Sequence, residues 1–288
     1  MMEIIALNNG VDEVRDMTME IETRVCKSCK QEYEPKYYDV LNCHILIGQG
    51  FCPTCAQNVY EEEVAKEEAA RLAEIASIRH RRRESCGIPP KFMNEDFSTF
   101  EKGWQDKALE VSKTFAEQFP IDRYPREYRS LYLWSTESWG VGKTHLASAI
   151  CHRILDRWTG EGKKGCPRII FLSEPELFRR IQATYSFSYE EKQLRESEDD
   201  IIRSIIYADL TIIDDIGKEK RKDMDFVQRT LFAIIDGRYK LQLPLVITAN
   251  LDPSELSEHL GKATFDRIWE MVEGKSMRMD GRSFRRCQ

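Results

Sequence analysis

Residues 131–146 read LYLWSTESWGVGKTHL: an apolar run, a glycine-containing turn and the start of an amphipathic segment. Leu131 to Trp134 has the length of a strand, and Leu146, Ile150 and Ile154 recur at helical spacing after the turn, so the order is strand, loop, helix. Between them, Ser138, Trp139, Gly140, Val141, Gly142, Lys143, Thr144 and His145 follow the phosphate-loop pattern G-x-x-x-x-G-K-[ST]. Chemistry explains the residue types. Glycines let backbone N–H groups approach phosphate oxygens, and the helix N-terminus adds positive potential. Lys143 is expected to reach the β- and γ-phosphates of ATP, and the Thr144 hydroxyl to ligate Mg²⁺. One residue departs from the pattern: Glu137 stands where it asks for glycine, which either strains the loop or sets a carboxylate near phosphate.

A second apolar run, Leu210-Thr211-Ile212-Ile213, ends in Asp214-Asp215. Asp214 is expected to hold Mg²⁺ through water and Asp215 to polarise the attacking water; capping a helix is the alternative use of such a pair. The distance from the phosphate loop suits one intervening βα unit. A third run, Pro244 to Ala249, ends in Asn250, which either orients the water or caps the helix expected over Asp252 to Leu260. Downstream, Arg267 either supplies positive charge to the nucleotide of an adjacent subunit, which would make the active form a homo-oligomer, or pairs on the surface with Asp266 or Glu270.

A further apolar run at Ile169 to Leu172 and a weaker one at Ser276 to Met279 bring the number to five, with amphipathic segments between them. That alternation predicts an α/β fold, a parallel five-stranded sheet flanked by helices. The 288 residues and their 41% hydrophobic content suffice for one such domain and a small accessory module. No run approaches the roughly 20 consecutive apolar residues of a membrane helix, and Met1 to Arg24 is too acidic for a secretory signal, so a cytoplasmic protein is expected. The net charge of −6 argues against a surface coated with nucleic-acid-binding charge. Basic residues nevertheless cluster at His80 to Arg83, Lys218 to Lys222 and Lys275 to Arg286, as solvated faces or as local contact patches.

In a reducing compartment the nine cysteines point to metal before disulfides. Cys26-Lys27-Ser28-Cys29 and Cys52-Pro53-Thr54-Cys55 form two C-x-x-C knuckles separated by 22 residues. Four thiolates at that spacing wrap one tetrahedral Zn²⁺, as in a zinc ribbon, and a closed set of this kind is structural. Lys27, Lys30, Lys36, Tyr33, Tyr37 and Tyr38 surround it, which suits docking of a partner or DNA. Cys43 and His44 are possible substitutes as ligands. Cys86, Cys151, Cys166 and Cys287 have no partner spacing. The expected organisation is a tail over 1–25, a zinc module over 26–58, a helical linker over 59–86 and the sheet domain over 87–288.

The sequence resembles the DnaC/DnaI-like helicase loaders and the related IstB transposition ATPases of the AAA+ class over roughly residues 80 to 288. The resemblance is carried by Gly87-Ile88-Pro89-Pro90-Lys91-Phe92, Gly142-Lys143-Thr144-His145-Leu146-Ala147, Ile213-Asp214-Asp215-Ile216-Gly217, Ile247-Thr248-Ala249-Asn250-Leu251, Asp266-Arg267-Ile268 and Gly281-Arg282-Ser283-Phe284-Arg285. It implies an AAA+ P-loop core, a Mg²⁺-dependent ATPase, a replicative hexameric helicase and single-stranded DNA as partners, and the roles above for Lys143, Thr144, Asp214, Asp215, Asn250 and Arg267. The sequence departs from the family where it stops soon after the last expected strand, so a truncated lid is expected, which puts sensor roles for Arg282 or Arg285 in doubt. In these loaders the segment after the second core strand touches DNA. Here that segment holds Phe178, Arg179, Arg180, Tyr185, Phe187 and Tyr189, which serve either as DNA contacts or as core aromatics. The cysteine module favours a loader over a transposition ATPase, while Glu137 and Asp215 leave room for a nucleotide-sensing adaptor that does not hydrolyse.

Overall fold

The computed structural model describes residues 23–40, 43–46, 50–101, 103, 105–136, 139–161, 164–187, 195–217, 224–281 and 283–284, with the backbone alone for 37–40 and 43–46. Expectations on residues 1–22, Glu137, Ser138, Tyr189, Lys218 to Lys222, Arg282, Arg285 and Cys287 lie outside the described residues, as do those on the side chains of Tyr37, Tyr38, Cys43 and His44. The chain divides into two compact units, Met1–Leu72 and Ala73–Gln288.

In the first unit, β1 (Arg24–Val25) pairs antiparallel with β2 (Glu32–Tyr33), and β3 (Tyr37–Val40) with β4 (Cys43–Leu46). Helix α1 (Pro53–Ser85) starts there and ends in the second unit. Its freedom from internal Gly and Pro and its wealth of Ala, Glu and Arg favour the helix, and Cys55 falls in its first turn. Gly87 then takes φ +93°, and a Cβ at that position would lie 2.2 Å from the Phe171 carbonyl oxygen. That close approach requires glycine.

The second unit is a five-stranded parallel sheet of β5 (Leu131–Trp134), β6 (Ile169–Ser173), β7 (Leu210–Ile216), β8 (Leu245–Ala249) and β9 (Ser276–Arg278), in the order β6-β7-β8-β5-β9. The five apolar runs are these five strands, in a parallel sheet flanked by helices as expected. Helices α2 (Asp106–Gln118) and α3 (Lys143–Arg157) pack with Leu131, Leu133, Phe171, Leu210, Ile212 and Val246. The alternate strand residues Tyr132, Leu172, Ile213, Leu245 and Ile247 join α4 (Glu174–Tyr185), α5 (Glu198–Ile206), α6 (Met224–Leu241), α7 (Pro253–Leu260) and α8 (Lys262–Val272). Successive strand side chains point to opposite faces, so two cores sandwich one sheet. The edge strand β6 is covered where the Phe171 N–H donates to the Cys86 carbonyl at 2.6 Å.

One polar residue stands apart in this core. Arg238 of α6 is fully buried, and its guanidinium donates to the carbonyls of Ile205 at 2.8 Å, Ile206 at 3.0 Å, Ala208 at 2.9 Å and Pro244 at 2.5 Å. It thereby satisfies the open carbonyls at the end of α5 and in the turn entering β7. Burial lowers its pKa to about 9, which still leaves it charged at neutral pH. Arg238→Met orphans several buried carbonyls at once and should lower the unfolding free energy by on the order of 3 kcal/mol or more. Urea denaturation measures this, and a loss below about 1 kcal/mol would show that the turn does not depend on the arginine.

Candidate functional site

Of the residues singled out in the sequence, Lys143, Thr144, Asp214, Asp215 and Asn250 meet at the C-terminal ends of β5, β8 and β7, the edge at which open α/β sheets bind ligands. Strand β8 lies between β5 and β7. It therefore brings Asn250 between the phosphate loop and the Asp214-Asp215 pair. Gly140 and Gly142 take φ +77° and +98°, and Gly142 is the left-handed residue that opens α3. A Cβ on Gly142 would lie 2.6 Å from the Phe100 ring. Val141 is fully buried, whereas Trp139 is 62% exposed. His145 is held by the Asp96 carbonyl at 2.8 Å and stands edge-on to Phe100. The Phe284 N–H donates to the Gly140 carbonyl at 3.1 Å.

Lys143 is buried. Its ammonium donates to the Ser135 hydroxyl at 2.5 Å and to Asn250 Oδ1 at 2.8 Å. The Asn250 amide donates in turn to Asp215 Oδ1 at 2.7 Å, so one side chain bridges the lysine and the second carboxylate. Asp214 accepts from the Thr144 hydroxyl at 3.0 Å and from the Thr248 hydroxyl at 2.5 Å. Thr248 also accepts the Asp215 N–H at 2.9 Å. Between the pairs Ile213↔Ile247 and Ile216↔Ala249, β7 advances three residues while β8 advances two, a bulge of one residue. Asp215 sits in it at φ +60°, a conformation that non-glycine residues adopt mainly where their surroundings impose it. Burial pushes the Asp214 carboxyl up to about 6 and the Asp215 charge adds to this, while hydrogen bonds from Thr248 and Thr144 pull the other way.

Several expectations divide here. The helix-capping role open to Asn250 belongs to Asp252, which accepts the N–H groups of Ser254 and Glu255. Arg267 pairs with neither Asp266 nor Glu270. Its Nε donates to Asp236 at 2.9 Å, and the guanidinium stacks 5.0 Å over Phe232 and 5.7 Å over Tyr239. Phe178 is fully buried beside Phe226, so it is a core residue and cannot stack on a base. Helical spacing turns it inward with Leu177 and Ile181, while Arg179, Arg180 and Tyr185 stay exposed. Ser135, Thr248 and Phe100 were not foreseen. A hydroxyl inside the apolar run of β8 was the available signal for Thr248.

In the first unit, the sulfurs of Cys26, Cys29, Cys52 and Cys55 all lie within 4.8 Å of one another, the Cys29–Cys52 pair at 3.8 Å. Tetrahedral zinc with Zn–S bonds of about 2.3 Å needs sulfurs about 3.8 Å apart. The Cys52 N–H donates to the Cys26 sulfur at 3.3 Å, a contact that favours its thiolate. Among the described residues, no helix is long and apolar enough to cross a membrane.

The bacterial DnaA ATPase domain family matches residues 93–267. The replicative helicase loader DnaC of Escherichia coli K12 is 25% identical over 184 residues, which cover 63% of this chain and 66% of DnaC. The chromosomal replication initiator protein DnaA of Bacteroides fragilis is 27% identical over 160 residues, covering 56% of this chain and 29% of that protein. A solved structure of the DnaC helicase loader superposes with a TM-score of 0.49 at 23% identity, covering 66% of this chain and 98% of that one.

The buried Asp214 carboxyl carries a pH signature. A folded-state pKa raised to about 6 means that ionised Asp214 opposes folding. The penalty is absent below the ordinary carboxylate range and complete above the folded value. In nucleotide-free, magnesium-free buffer, Asp214→Asn should therefore stabilise the protein at pH 8 by on the order of 2 to 3 kcal/mol and change little at pH 4. Thermal unfolding at the two pH values measures it, and an Asn variant less stable at pH 8 would contradict the burial argument.

Proposed function

The chain belongs to the bacterial DnaA ATPase domain family, and from that premise we propose that it is a Mg²⁺-dependent ATPase serving as a helicase loader in DNA replication. In this reading it works in the cytoplasm, binds single-stranded DNA and a replicative hexameric helicase, and acts as a homo-oligomer. The observation that carries the proposal is the convergence of Lys143, Asn250 and Asp215 in one hydrogen-bonded line, with Thr144 and Asp214 3.0 Å apart beside it. The similarity to a protein named as a replicative helicase loader supports the choice of process.

The residues fit the groups they would hold. Two glycines at positive φ leave backbone N–H groups uncovered by Cβ atoms. A hydroxyl and a carboxylate side by side are the oxygen ligands that Mg²⁺ takes. When bound, Mg²⁺ would neutralise charge on the transferring phosphoryl group. Residues 138–145 cradle the phosphates in this account, and Lys143 moves its ammonium from Ser135 and Asn250 to phosphate oxygens. Asp215, one oxygen fixed by Asn250, accepts a proton from the attacking water, and Asn250 keeps that carboxylate in line. Arg267 acts on the nucleotide of an adjacent subunit, which requires it to leave Asp236. The exposed Arg179, Arg180 and Tyr185 of α4 contact DNA. Cys26, Cys29, Cys52 and Cys55 hold a structural Zn²⁺ in a module over 26–58, joined by a linker over 59–86 to the ATPase domain over 87–288.

Steady-state turnover of ATP, with and without single-stranded DNA, tests the reading. The wild type should hydrolyse ATP and Lys143→Ala should lose nucleotide binding. Asp215→Asn should lose on the order of 100-fold in turnover, the usual worth of a proton acceptor. Equal background turnover in wild type and Asp215→Asn would leave a nucleotide-sensing adaptor instead. Elemental analysis of the purified protein should find one zinc per chain, and its removal by chelation should unfold residues 26–55 while sparing the sheet domain. A preparation without stoichiometric zinc would contradict the module.

A further inference from the structure

The Asp214-Asp215 turn is pinned at its far end by a group that the account above does not use. Glu174 opens α4 directly after β6, and it is 2% exposed. The ordinary task of a carboxylate at that point, capping its own helix, falls to Ser173, whose hydroxyl accepts the Glu176 N–H at 3.3 Å. Glu174 instead reaches across to β7. One carboxylate oxygen accepts the Gly217 N–H at 2.5 Å, and the other lies 2.7 Å from His259 Nε2. A carboxylate is costly to bury without such partners, so these two contacts are what keep it there.

Gly217 has no room to adjust. It takes φ +79°, and a Cβ on it would lie 2.1 Å from a methyl carbon of Leu251, the residue after Asn250. Leu251 is itself fixed, because its carbonyl accepts from the Tyr132 hydroxyl at 2.6 Å. His259 stands at the end of α7, where Gln228 of α6 donates to the Glu258 and His259 carbonyls at 3.2 Å. The stretch from Asp214 to Gly217 is thus held by Thr248 and Asn250 at one end and by Glu174 and Leu251 at the other. Asp215 lies between these anchors at positive φ.

We propose that Glu174, steadied by His259, is a positioning residue that holds the Gly217 N–H and thereby keeps Asp215 in the geometry that ATP hydrolysis needs. This inference rests on the ATPase reading. Glu174 touches neither Lys143 nor Thr144, so its loss should disturb the chemical step and leave nucleotide capture intact. Misplacing a reacting group by about 1 Å costs on the order of 100-fold in rate.

The test uses the full chain and three variants, Glu174→Ala, Glu174→Gln and His259→Ala. It reads kcat, affinity for a fluorescent ATP analogue, and hydrogen exchange of the Gly217 amide in nucleotide-free protein. For Glu174→Ala, kcat should fall on the order of 10- to 100-fold while affinity stays within about twofold and the Gly217 amide loses its protection. Glu174→Gln should restore the protection and most of the turnover. Its amide oxygen accepts from Gly217, and its amide N–H is placed to donate to His259 Nε2. His259→Ala, which removes one contact of the two, should show the same split more weakly and serves if Glu174→Ala does not fold. Wild-type turnover with unchanged kcat and unchanged Gly217 exchange in the variants overturns this inference alone. A parallel loss of affinity, kcat and melting temperature also overturns it, since that is general destabilisation. Absence of turnover in the wild type overturns the ATPase reading together with it.

Discussion

A carboxylate buried at the edge of an apolar sheet is the constraint on which the rest of this structure depends. Asp214 lies within β7 after a run of residues that are all buried, and it is itself 6% exposed. Such a group is tolerated only if donors surround it. The hydroxyls of Thr144 and Thr248 supply them, one from the first turn of α3 and one from β8. Three elements distant in sequence are therefore locked together by one side chain. The β7 bulge follows from the same demand, because inserting one residue turns Asp215 out of the sheet toward Asn250 while Asp214 stays in.

That arrangement makes the site a trade between stability and readiness. The raised carboxyl of Asp214 and the positive φ of Asp215 each cost the folded state something. The cost is offset by the two apolar cores on either side of the sheet. In the ATPase reading proposed above, such convergence of donors and acceptors would preorganise the site for phosphate and a hard cation.

Much of this was legible in the sequence, for physical reasons that also mark the limit. Parallel strands buried on both faces read as unbroken apolar runs, so those at Leu131, Ile169, Leu210 and Leu245 were plain, whereas the half-buried edge strand at Ser276 left a weaker signal. The phosphate loop was legible because Gly140, Gly142, Lys143 and Thr144 follow a chemical requirement at fixed spacing. The cysteine pairs were legible for the same reason, and their sulfurs do converge. What could not be read depends on register and on partners far along the chain. No local pattern says that Thr248 faces Asp214, that Arg267 meets Asp236, or that Glu174 reaches Gly217. Phe178 was ambiguous because a cation-rich helix with aromatics looks alike whether a ring turns inward or out; packing against Phe226 decides it.

The central claim is that the turn from Gly140 to Thr144 and the carboxylate of Asp214 form one site for a nucleoside triphosphate and its magnesium. Calorimetric titration of the purified chain with a non-hydrolysable ATP analogue, with and without Mg²⁺, tests it most directly. The account predicts binding of one analogue per chain, tightened by Mg²⁺ in the wild type and much less so when Asp214 is replaced by alanine. Absence of binding, or a magnesium effect that survives loss of the carboxylate unchanged, would contradict it.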